Sequence, residues 1–128
     1  MRLKIEQNGS DITIIFRTRN EENMERLHIG SDDNKNEIHE APMISKAAWE
    51  GAALVVHSVA KFGSDELRMD DRWTLSDDKQ TLTFTERHHF GAEPQPTEDS
   101  FVFERQPDGS WEPPQPPQPA ELVYKTFR

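Results

Sequence analysis

The chain has 128 residues, enough for one domain, with 24 acidic against 15 basic side chains and a net charge of −9. That balance disfavours nucleic acid and anionic lipid as partners, because both would be repelled at long range. No run of about 18 apolar residues exists to insert as a membrane helix, and the absence of cysteine removes disulfides, thiolate nucleophiles and Cys-ligated zinc.

In chain order the pattern is β throughout. Leu3 and Ile5 alternate with polar residues, Asn8-Gly9 signals a hairpin with a type I′ turn, and Ile12, Ile14 and Phe16 resume the alternation. Residues 24–29 and 37–40 are weaker strand candidates. The acid-rich stretches 20–25 and 31–40 carry oxygen ligands without the order of a calcium-binding loop, and read as solvated loops. Residues 44–49 and 53–62 form a hairpin around Glu50-Gly51. Gly63-Ser64 then turns into 66–75, residues 76–80 turn into 81–90, and a Pro-containing loop, 91–98, precedes 100–105. No window shows a sustained 3.6-residue period, so little helix is expected.

Neighbouring strands must agree on which side chains face inward, and this tests the register. Pairing Leu75 with Leu82 sets Trp73 opposite Phe84, Asp71 opposite Glu86, and Met69 opposite His88. A two-residue Gly63-Ser64 turn sets Ala60 against Leu67, Ser58 against Met69, Val56 against Asp71, and Leu54 against Trp73. Pairing Trp49 with Leu54 sets Ala47 against Val56. All three hairpins choose one face, with Trp49, Leu54, Val56, Leu67, Met69, Trp73, Leu75, Leu82 and Phe84 inward. Arg68, Asp70, Arg72, Thr74, Thr83, Thr85 and Arg87 face outward, with Asp70 opposite Arg87 as an ion pair. His57 falls on the outer face near Asp70.

The segment Trp49-Glu50-Gly51-Ala52-Ala53-Leu54-Val55-Val56, then Arg72-Trp73-Thr74-Leu75-Ser76-Asp77-Asp78-Lys79-Gln80-Thr81-Leu82-Thr83, closed by Phe103-Glu104-Arg105, resembles a lipocalin-like bacterial domain of unknown function. Asp78 stands where that pattern commonly carries Gly, so the turn there is expected to differ. The resemblance implies an all-β fold, an antiparallel meander forming a lipocalin-like barrel or half barrel of about eight to ten strands. Its motifs are hairpin chemistry and say little about activity.

On the inward face Asp71, Glu86 and His88 interrupt the apolar list, with Ser58, Met69 and Trp73 beside them. Two opposed carboxylates raise one another's pKa, and an imidazole can share the proton. An apolar cup with a few orienting polar groups suits a small ligand; the plain alternative is a set of solvated side chains at a barrel mouth. His88-His89 alternates across the strand, so the two rings do not chelate together. No phosphate loop, nucleophile elbow or zinc-protease motif occurs, and no catalytic residue, metal or cofactor is assigned.

Residues 1–105 are expected to form the barrel domain and 106–128 a proline-rich strap and C-terminal extension. Trp111, Leu122, Tyr124 and Phe127 are expected to dock on the barrel or to link a homodimer. Met1-Arg2-Leu3-Lys4 begins without an apolar leader, which fits a cytoplasmic protein, or a periplasmic or secreted one whose leader was removed. The expected function is a non-enzymatic binding module for a small apolar or amphipathic ligand. The alternatives are an accessory or interaction domain of a larger bacterial envelope or secreted protein, and an enzyme built on the Asp/Glu/His cluster.

Overall fold

The computed structural model describes residues 1–30 and 32–107. The expectations placed on the tail from residue 108 onward, including the docking of Trp111, Leu122, Tyr124 and Phe127 and a tail-linked homodimer, lie outside the described residues.

Among the described residues nine strands follow one another: β1 (Arg2–Asn8), β2 (Asp11–Arg17), β3 (Glu22–His28), β4 (Asn34–Ile38), β5 (Ala41–Glu50), β6 (Ala53–Phe62), β7 (Asp65–Leu75), β8 (Thr81–Phe90) and β9 (Thr97–Glu104). They form two antiparallel sheets, β1-β2-β3 and β4-β5-β6-β7-β8-β9, in simple meander order. The weaker strand candidates 24–29 and 37–40 overlap β3 and β4, which begin two and three residues earlier, inside the stretches 20–25 and 31–40 read as solvated loops. Their solvent faces are charged, but Leu27 on β3 is buried and anchors the strand in the core.

The register of β5 to β8 is the one the side-chain arithmetic gives: Trp49 opposite Leu54, Leu54 opposite Trp73, and Trp73 opposite Phe84. Several details differ. The first hairpin turns on Gly9-Ser10, since Asn8 pairs with Asp11, and only Gly9 takes a positive φ of 63°. Glycine at the first central position with an ordinary second residue is the signature of a type II′ turn rather than I′. The β5–β6 turn is likewise shifted by one residue, to Gly51-Ala52, because Glu50 still pairs with Ala53. In the β7–β8 turn the left-handed residue is Lys79 and not Asp78. The Asp78 carboxylate instead accepts from the Ser76 hydroxyl at 2.6 Å and the Gln80 amide at 3.0 Å, which holds its pKa below the ordinary value. Asp70 does face Arg87, but its carboxylate bonds Nδ1 of His57.

The two sheets meet at a seam between β3 and β4 that side chains stitch. Oδ1 of Asn36 accepts the Arg26 amide at 2.9 Å, and its Nδ2 donates to the Arg26 carbonyl at 3.0 Å. Asn34 treats His28 in the same way, at 2.8 and 3.2 Å. An asparagine amide has one acceptor and two donors in peptide-like geometry, so each side chain stands in for a missing strand residue. Beyond the seam, the Gly30 amide donates to the Ala47 carbonyl at 3.0 Å and ties the end of β3 to β5.

The opposite edges, β1 and β9, share no ladder. The molecule is therefore a nine-stranded half barrel, open along one side. Its core has two apolar parts. The larger contains Ile12, Ile14, Leu27, Leu54, Val56, Trp73 and Phe84, with Trp73 and Phe84 stacked at a ring-centroid distance of 3.9 Å. The smaller is Met43, Ala60 and Met69. Fully burying one such large side chain contributes about 1.5–3 kcal/mol, so the larger part supplies most of the driving force. Trp49 and Leu75 belong to the inward face by alternation, yet both lie at its open end and are about half exposed.

Candidate functional site

The gap between β1 and β9 holds a cleft of about 1100 Å³. Its floor is Ile12 and Ile14 of β2, Leu54 of β6 and Trp73 of β7, all buried by the surrounding strands. Leu3 and Ile5 form one wall, and Leu82, Val102 and Phe103 the other. Alternation and the open edges create this surface: β1 pairs only with β2 and β9 only with β8, so their inward side chains border the gap between the two edges. Trp49 and Leu75, exposed to bulk solvent by the barrel's incompleteness, sit on its rim.

Away from the cleft, beyond the Trp73–Phe84 stack, lies a polar layer that separates the two apolar cores. Successive register positions place Ser45, Ser58, Met69 and His88 in one row, and Ala47, Val56, Asp71 and Glu86 in the next. The Ser45 and Ser58 hydroxyls bond at 2.7 Å, fully buried, and so satisfy each other. The carboxyl of Asp71 is 7% exposed as a residue, and its Oδ1 has no hydrogen-bond partner. Burial, foremost, and the nearby Glu86 and Glu25 carboxylates push its pKa far above the ordinary range. Glu25 approaches from β3 in the other sheet. Burial and the charge on Glu86 raise it to about 7. Nδ1 of His88 lies 3.7 Å from Oε1 of Glu86, too long for a hydrogen bond though within ion-pair range. The layer opens to solvent toward β9, where Thr97 and Asp99, opposite His88 and Glu86, are exposed.

Chemically, this layer holds two carboxyls, Asp71 and Glu25, whose proton affinity is raised, beside the carboxyl of Glu86 and the imidazole of His88. Of the six residues read as a lumen site, all lie on the one inward face, but they divide in two. Trp73 belongs to the cleft. Asp71, Glu86, His88, Ser58 and Met69 line neither the cleft nor a second, smaller one of about 440 Å³ near the β3–β4 seam.

Two members of the polar layer escape the sequence reading. Ser45 was within reach: extending the Ala47–Val56 pairing by two residues brings it opposite Ser58. Glu25 shares its face with Leu27, two residues on, but a strand with one buried side chain gives too little alternation to reveal it.

Compared with known proteins, the chain matches no family model, no curated protein and no solved structure.

Proposed function

We propose that this domain is a non-enzymatic binding module that takes a small apolar or amphipathic molecule into the cleft between β1 and β9. The observation that carries the reading is the cleft itself: about 1100 Å³ of space with Ile12, Ile14, Leu54 and Trp73 at its floor. Ligand sites are commonly concave, mostly apolar and of order 300–1,000 Å³. Burying an apolar guest against such a surface contributes about 0.8 kcal/mol for each methylene, before the cost of immobilising it. Trp73 has a double role here, closing the cleft floor on one face while stacking on Phe84 with the other.

The neutral, environment-sensitive probe N-phenyl-1-naphthylamine tests this. Its emission should rise saturably at one probe per chain, and Leu82→Arg, which sets a charge in the wall, should abolish the signal while the melting temperature stays within a few degrees. Emission that stays at the level of probe in buffer would overturn the reading.

A further inference from the structure

The charge on the cleft is opposite to the charge on the chain. Four basic residues border it among the described residues, against the single acid Glu104: Lys79 from the β7–β8 turn, Arg105 just after β9, and Arg2 and Lys4 of β1, whose side chains alternate to the outer face from Leu3 and Ile5. The protein as a whole has 24 acidic side chains to 15 basic. Most acids lie elsewhere, in the polar layer, the β3–β4 seam and the outer face; Asp77 and Asp78 share the turn with Lys79, and the Asp78 carboxylate is engaged by the Ser76 hydroxyl and the Gln80 amide.

Two of these cations are brought together by the backbone. The Arg105 amide donates to the Gln80 carbonyl at 2.8 Å, which fixes the end of β9 against the turn that carries Lys79.

Resting on the cleft reading above, we infer that the ligand is an anionic amphiphile: a single apolar tail over Trp73 and Ile14, and a carboxylate-type head group at Lys79 and Arg105. The apolar floor accepts the tail of any amphiphile, so the rim decides among head groups. Arginine offers a planar fork suited to a carboxylate, and lysine a movable point charge. A cationic head group meets repulsion at the same place. The net charge of −9 acts against the anion at long range, so binding gains from moderate salt that screens distant charges while sparing contact pairs.

Decanoate, decanol and decyltrimethylammonium share one tail and differ in head charge, and displacement of N-phenyl-1-naphthylamine ranks them. Decanoate should displace the probe about ten-fold more tightly than decyltrimethylammonium, with decanol between. The double variant Lys79→Glu with Arg105→Glu should weaken decanoate about ten-fold and leave decanol within about two-fold of wild type, which reports that the tail site is intact. Equal affinities for decanoate and decanol, or a variant that weakens both alike, would overturn the head-group assignment and leave the cleft reading standing. Should none of the three displace the probe, the cleft and the head group fall together.

Discussion

Asp71→Asn should make the domain more stable at pH 8 by roughly 1–3 kcal/mol, and should change it little at pH 4.5. The wild-type carboxyl is buried with one oxygen unpartnered, against Glu86 and Glu25. Its folded pKa lies above the ordinary 3.8, and that of Glu25 lies at about 7 rather than 4.5. A carboxyl raised in the folded state holds its proton after the unfolded chain has released it, so its favourable contribution is complete below the unfolded pKa. The contribution is then lost as pH climbs through the folded one. For Glu25 the window runs from about 4.5 to about 7, and for Asp71 it starts near 3.8 and extends further. Asp70 adds negative charge from a neighbouring position, Asp99 lies opposite Glu86, and Nδ1 of His88 lies 3.7 Å from the Glu86 carboxylate. Urea unfolding of the wild type should therefore show stability falling between pH 5 and pH 8, and Glu25→Gln combined with Asp71→Asn should flatten that slope. A wild type that gains stability over the same interval contradicts the placement of these carboxyls.

The seam between the sheets gives the second large effect. Replacing Asn34 and Asn36 together by alanine removes four hydrogen bonds that join β3 to β4. Net contributions of about 0.5–1.5 kcal/mol per bond, reduced here because the seam is partly exposed, predict a loss of roughly 2–3 kcal/mol. The specific sign is in hydrogen exchange. Amide protons of Arg26 and His28 should lose protection, while those of β6 and β7 keep theirs until global unfolding. Asn36→Asp is the finer probe, because a carboxylate still accepts from the Arg26 amide but faces the Arg26 carbonyl with no proton to donate. Unchanged protection at Arg26 and His28 in the double variant would show that backbone packing alone holds the sheets together.

These two features mark how far the sequence could be read. The β5–β8 core was legible because long strands, two of their turns being two-residue glycine turns, leave one register that satisfies every inward position; Trp73 opposite Phe84 follows once Leu75 is set against Leu82 across the longer turn at 76–80. The Asp71–Glu86 pair was legible for the same reason. Asn34 and Asn36 were not, since asparagine in an acid-rich stretch reads as loop chemistry, and only a neighbouring strand with unpaired amides turns it into a strand mimic. The cleft was the least visible feature. It exists because β1 and β9 do not pair, a relation between the two ends of the meander that no local alternation encodes. Hence the candidate ligand residues were drawn from the polar interruptions of the inward face, while the open space lies one layer further along, where Trp73 alone joins the two.

The central claim is that the guest sits in that cleft and not in the polar layer. Amide chemical-shift mapping of the full chain during titration with N-phenyl-1-naphthylamine tests it most directly. The account predicts shifts at Leu3, Ile5, Leu54, Trp73, Leu82 and Phe103, the residues around the cleft. Shifts concentrated at Ser58, Met69 and His88, with the cleft residues unmoved, would contradict it.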